Sequence, residues 1–196
     1  MKTIQLTKQK ETIVDDKDYE SLMKYKWCFN SSGYAMTTIK KEEKYKALYL
    51  HRYLLSPTKE QQVDHVNSNK LDNRRKNLRL CTGVENKRNT SKWKTRVLTS
   101  RFKGVHYQKG LISKPWMTQI RIHDQTCHLG TFKTEIEAAC MYNFAAQRVY
   151  KLFTNLNKIP KDFITTVDLD NRIAKLENII QQAQCKKASQ VEMVNK

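Results

Sequence analysis

Residues 63–89 constrain the fold of this chain more than any other stretch. They run VDHV, then NSNKLDNRRK, then NLRLC, then TGVE and a short polar segment that closes on Asn89. VDHV and NLRLC alternate apolar with polar side chains and read as short strands. The connection between them is too polar to pack and is rich in Asn, whose amide closes turns on nearby backbone. Thr82 followed three residues later by Glu85 is a capping box, which opens a helix. The order strand, loop, strand, helix points to a small α+β unit.

Charge narrows the partner. The chain of 196 residues has 37 Lys+Arg against 19 Asp+Glu, a net charge of +18, and this charge is uneven. Residues 61–99 carry 10 cations against 3 acids, and residues 100–157 carry 8 against 3. Between Glu85 and Asp124 there is no carboxylate, yet Lys87, Arg88, Lys92, Lys94, Arg96, Arg101, Lys103, Lys109, Lys114 and Arg121 fall in that interval. A solvated basic face ordinarily intersperses acids; an uninterrupted run favours an external polyanion, and nucleic acid is the leading partner. No run approaches the ~18 apolar residues of a membrane span. The start, MKTIQLTKQKETIVDD, lacks an apolar signal-like stretch, and five cysteines without a CxxC indicate neither a disulfide framework nor structural zinc. The expectation is a reduced, intracellular, soluble protein with no membrane partner.

The remaining segments divide the chain. TIQL and ETIV read as strands, and a helix over about 16–25 is capped by Asp15 or Asp16. Trp27–Phe29 and Tyr34–Ile39 flank a hairpin-like Asn-Ser-Ser-Gly turn, and residues 45–55 pass from strand to a short helix that Pro57 ends. From Arg101, FKGVHYQ, WMTQIRIH and TCHLGTF read as three strands, with bends at Gly110 and Asp124-Gln125. Thr134 and Glu137 form a second capping box, opening a helix to Tyr150 whose sheet-facing stripe is Ile136, Ala139, Cys140, Asn143, Ala146 and Tyr150. Ile173, Leu176, Ile179, Ile180 and Ala183 form the stripe of a last helix that starts near Asp168, and the chain beyond Gln184 reads as disordered. The expected divisions are a strand-rich extension (1–60), a β-β-α core (61–90), a basic linker (91–100), a three-stranded sheet with a helix (101–157), and a terminal helix with tail (158–196).

Chemistry concentrates in the β-β-α core. Asp64-His65 at a strand end, Asn77 in the returning strand and Asn86 on the first turn of the next helix converge. A carboxylate and an amide oxygen are hard ligands that suit Mg²⁺ or Mn²⁺. A neutral imidazole beside such an ion can take a proton from water, and an Asn carbonyl on its other nitrogen would fix the tautomer.

At LHRYLL, VDHVNSNKLDNRRKNLRLCT and ENKRN the chain resembles the HNH endonucleases with a ββα-metal site, in the branch found in phage and intron-borne homing enzymes. The resemblance spans about residues 1–90. It implies that Asp64 and Asn86 bind one Mg²⁺ or Mn²⁺, that His65 is the general base, and that Asn77 orients it. Asn86 stands where the family name has His, an HNN variant. Cleavage would leave 5′-phosphate and 3′-hydroxyl ends. Arg74, Arg75, Arg79 and Arg88 are phosphate-contact candidates because guanidinium forks match phosphate oxygens. His51 reads as structural or phosphate-contacting, and Asn69, Asp72 and Asn73 as loop-shaping.

The second unit, SRFKGVHYQ, KPWMTQIRIHDQTCHLGTFKTEIEAACMYNFAAQRVY and FTNLN, is similar to the Apetala-type, or ethylene-response-factor, DNA-binding domain. That resemblance implies a three-stranded sheet in the major groove with a helix behind it. By strand period, Met117, Gln119, Arg121 and His123 face one way and Trp116, Thr118, Ile120 and Ile122 the other. Lys103, His106, Gln108, Gln119, Arg121, Thr126 and His128 occupy positions that contact DNA in the family. The expectation is a site-specific, homing-type endonuclease acting on double-stranded DNA as a monomer or homodimer. A DNA-binding regulator with an inactive HNH unit is the alternative. An RNA-binding protein fits the charge but lacks an aromatic sheet face for stacking bases.

Overall fold

Alternation at the N-terminus produces a hairpin: β1 (Lys2–Leu6) pairs antiparallel with β2 (Lys10–Val14). Its inward residues Ile4, Leu6, Thr12 and Val14 are buried. The computed structural model describes residues 1–90, 99–122, 125–163, 176–178 and 180–182. Its contacts divide the chain into two units, Met1–Thr90 and Ser91–Lys196.

In the first unit, α1 (Asp16–Leu22) is shorter than expected. Asp15 stands at its N-cap, but the carboxylate accepts the Arg75 backbone N–H at 2.8 Å instead of capping. A three-stranded antiparallel sheet follows, β3 (Cys28–Phe29), β4 (Ala35–Lys41) and β5 (Lys44–Tyr49). The helix α2 (Leu50–Leu55) ends at Ser56, in the left-handed region at φ 44°, just before Pro57. Val14, Leu22, Trp27, Ala35, Leu50, Val63 and Leu78 belong to one buried core. The Trp27 indole N–H donates to the Leu22 carbonyl at 2.8 Å, so the ring packs with its polar atom satisfied.

The β-β-α element forms as the pattern predicts. β6 (Gln62–His65) pairs antiparallel with β7 (Leu78–Cys81), which sets Asp64 opposite Arg79 and His65 opposite Leu78. Asn77 lies in a 3-10 turn (Arg75–Asn77) ahead of β7 rather than in the strand. The helix α3 (Gly83–Asn89) begins at its capping box: Thr82 N–H donates to Glu85 Oε2 at 2.8 Å, and Glu85 N–H to Thr82 Oγ1 at 3.3 Å.

The second unit is built on β8 (Val105–Tyr107), β9 (Trp116–Ile122) and β10 (Gln125–Phe132), with β9 central. Helix α4 (Glu135–Tyr150) starts at the Thr134–Glu137 capping box. Thr118, Ile120 and Ile122 are buried with Ala138, Ala139, Met141, Tyr142, Ala145 and Ala146 in the core. The buried stripe is therefore rotated from the expected one, and Ile136, Cys140 and Asn143 are only half-buried. Asn143 has other work: its amide donates to the Asn157 carbonyl at 2.9 Å and accepts the Asn157 N–H at 2.7 Å, tying Asn-Leu-Asn to the helix flank. Gly104, at φ +75°, lies so close to Tyr142 that an added Cβ would stand 2.0 Å from ring carbon Cδ2. Leu176 joins this core and Ile180 packs on it. The remaining expected stripe residues, Ile173, Ile179 and Ala183, fall outside the described residues, as do 91–98, His123, Asp124 and 183–196. No helix among the described residues is long and apolar enough to cross a membrane.

Candidate active site

The site is assembled on the loop between β6 and β7, and β2 holds that loop. Ile13 N–H donates to the Leu71 carbonyl at 2.9 Å, and Asn73 N–H returns a bond to the Ile13 carbonyl at 2.8 Å. Thr12 Oγ1 donates to the Leu71 carbonyl at 2.9 Å and accepts from Asn73 Nδ2 at 2.7 Å. With its nitrogen so committed, Asn73 turns its Oδ1 to His65 Nε2, 3.2 Å away. An amide oxygen only accepts, so Nε2 carries the proton and the lone pair resides on Nδ1. His65 is 5% exposed. Burial lowers its pKa, opposed by the Asn73 bond and by the charges of Asp64 and Asp72, and the ring is neutral at pH 7.

Asp64, also 5% exposed, is surrounded by donors. Its Oδ2 accepts a fork from Arg79, Nε at 2.8 Å and Nη2 beside it. Asn89 Nδ2 lies 2.9 Å from Asp64 Oδ1, 3.1 Å from Oδ2 and 2.9 Å from the His65 carbonyl oxygen. Three oxygens thus converge on the N–H pair of one amide, and oxygens so gathered are the kind of donor a small hard cation seeks. Among the described residues no three His, Cys, Asp or Glu side chains gather as a metal cluster. One carboxylate and a backbone carbonyl, with the Asn89 amide beside them, are a sparse, hard donor set that suits an ion keeping several waters.

Two expected contacts differ. Asn77 does not touch His65: its Nδ2 donates to the Asp72 carbonyl at 2.7 Å and its Oδ1 accepts the Asn67 N–H at 3.0 Å, so it pins both ends of the loop. Asn73 supplies the tautomer-fixing oxygen instead. Asn86 donates to Gln62 Oε1 at 2.8 Å, while Asn89, one helical turn later, reaches Asp64. The i, i+3 spacing of the two Asn residues was the available signal for Asn89. The arginines are also engaged within the unit. Arg74 forks onto Asp72 and holds that carboxyl below its usual range, Arg75 forks onto Asp18 at 2.8 and 2.9 Å, and Arg88 is half-buried on α3.

His51, read from the sequence as structural or phosphate-contacting, lies on α2. Its ring stands 5.2 Å from that of His65 and 5.0 Å from that of Tyr34, with Tyr49 at 5.6 Å. It is 8% exposed, and burial, then the neighbouring His65 and Arg52, push its pKa down to about 3. Cys81, buried between β7 and α3, has a thiol pushed up to about 11 by burial and is an inert core group.

The second unit gathers a different set. Register places His106 opposite Met117, Gln119 opposite His128, and Arg121 opposite Thr126, so these residues share the sheet face away from α4. Gln119 Nε2 donates to His106 Nε2 at 3.1 Å, and Arg121, Thr126 and His128 are exposed. Gln108 is exposed just beyond β8. Lys103 is half-buried, and burial lowers its amine's pKa.

The β-β-α element thus carries a buried Asp-His pair at its strand end and an amide on its helix. Residues 56–88 match the family model of the HNH endonucleases. A mimivirus protein (Acanthamoeba polyphaga mimivirus) named as an uncharacterized HNH endonuclease is 30% identical over 142 residues, 69% of this chain and 68% of that protein. The chain belongs to the HNH endonuclease family and is a nuclease. No solved structure matches it at a significant level.

Proposed function

We propose that the chain is a site-specific, homing-type DNA endonuclease in which His65 is the general base of phosphodiester hydrolysis. The relay from Thr12 through Asn73 to His65 carries this reading. It fixes the proton on Nε2 and leaves Nδ1 as the basic atom of a neutral ring. Asp64, with Asn86 or Asn89 on α3, would hold one Mg²⁺ or Mn²⁺. When bound, that ion supplies Lewis-acid stabilisation of the phosphodiester and its leaving oxygen. His65 takes the proton of the attacking water, and burial, by lowering its pKa, leaves the ring uncharged to receive it. One site per chain implies nicking by a monomer, and a double-strand break would need a second copy.

The second unit is proposed as the recognition module, laid against the DNA by its polar sheet face. The gathering of His106, Gln119, Arg121, Thr126 and His128 on one face supports this reading, which extends the Apetala-type resemblance read from the sequence. Arg pairs with guanine and Gln with adenine through two hydrogen bonds each. The divisions at about residues 60, 90, 101 and 157 follow from the same reading.

Supercoiled plasmid carrying the host's flanking DNA tests the proposal. Metal-dependent nicking that EDTA stops, and that His65→Ala removes while DNA binding persists, is expected. Intact plasmid across Mg²⁺, Mn²⁺ and a range of sequences would instead favour a regulator that binds without cutting. Gln119→Ala with Arg121→Ala should relax sequence preference more than affinity, whereas uniform weakening would leave only phosphate contacts.

A further inference from the structure

We infer that Arg79 is a counter-ion which the metal must displace from Asp64, and that the displaced guanidinium becomes a contact to the phosphate being cut. The inference rests on the reading of Asp64 as the metal carboxylate. Both oxygens of Asp64 are already engaged, Oδ2 by the Arg79 fork and by Asn89, Oδ1 by Asn89. The carboxylate is almost wholly buried, so its charge must be neutralised by something, and here Arg79 does so. A divalent ion on the same oxygens would stand a few ångströms from the guanidinium, and at that range two cations repel strongly in a partly buried site. Arg79 would therefore leave Asp64 if a divalent ion were seated there.

Its anchorage permits this. Arg79 lies on β7 directly opposite Asp64, and its backbone is held by the β6–β7 ladder, so rotation of the side chain leaves the strand in place. Its side chain retains 17% exposure, against 6% for Asp64, which gives the head a route outward. Arg74 and Arg75 differ: their carboxylate partners, Asp72 and Asp18, do not belong to the proposed metal seat. A fork released beside the metal matches the geometry of a phosphate oxygen pair. Metal and DNA then reinforce each other, because each removes an obstacle to the other, and the coupling is reciprocal.

Calorimetric titration of the full chain with Mn²⁺ alone tests this. Arg79→Gln should bind Mn²⁺ about tenfold more tightly than wild type without DNA, within the usual range for coupled sites. Its metal-free form should melt earlier and regain stability when Mn²⁺ is added. Arg79→Lys, which keeps the charge but loses the fork, should fall between. With Ca²⁺ in place of a catalytic ion, uncleaved duplex should tighten metal binding less in Arg79→Gln than in wild type. Asp64→Asn should abolish binding in either background. Equal or weaker Mn²⁺ affinity in Arg79→Gln, with circular dichroism unchanged and Asp64→Asn silent, would overturn the role of Arg79 alone. Wild-type affinity in Asp64→Asn would overturn the metal seat itself, and the displacement with it.

Discussion

The imidazole of His51 makes the stability of the first unit depend on pH. The folded ring, packed among Tyr34, Tyr49 and His65, has a pKa of about 3, whereas an unfolded histidine titrates near 6.5. A folded pKa below the unfolded value means that the unfolded chain takes up the proton first. Stability is full above about pH 6.5 and is lost as pH falls towards 3. At pH 5 the folded ring is still neutral, so the loss between pH 7 and 5 is set by protonation of the unfolded histidine, about 2 kcal/mol. Urea unfolding at the two pH values, followed by hydrogen exchange and mass spectrometry of peptides from residues 1–90, measures it. His51→Leu should flatten the slope by that amount. Wild type and variant losing equal stability between pH 7 and 5 would refute the reasoning, because the folded ring would then titrate normally.

Three further outcomes are expected. Asn73→Ala frees His65 to adopt either tautomer and should lower the cleavage rate 10–100-fold, the usual cost of removing an orienting partner, with DNA affinity held in a gel-shift assay. Gly104→Ala forces a methyl group into Tyr142 and an unfavourable φ, and should destabilise the second unit by about 3 kcal/mol in urea unfolding. Thr134→Ala removes the α4 cap and should cost about 1 kcal/mol in the same assay, leaving the first unit's exchange unchanged.

Sequence signals are legible where the physics is local. Both capping boxes open helices at the expected residue, and the faces of β9 follow from alternation alone. The pairings across the site were not legible. Asn73 is aimed by Thr12, 61 residues away, and nothing in an Asn-rich loop ranks one amide above another before that bond exists. Arg75 has its carboxylate partner 57 residues earlier, and with Arg74 and Arg79 it forms an ion pair inside the unit, although the sequence offered all three for phosphate. On α4, Asn143 sits on the apolar stripe by spacing, but its amide bonds Asn157 from a half-buried position on the helix flank.

The bonds from β2 to the loop bear on where this nuclease can be cut and moved. The segment that matches the family carries the Asp-His pair, yet the atoms that aim the histidine start at Thr12 and Ile13, outside it. A graft of residues 56–88 into another host would transplant the reagents and leave the jig behind. The smallest transferable module therefore runs from the first hairpin to the end of α3. In a lineage that exchanges such modules, recombination breakpoints inside the first fourteen residues should yield folded but slow enzymes.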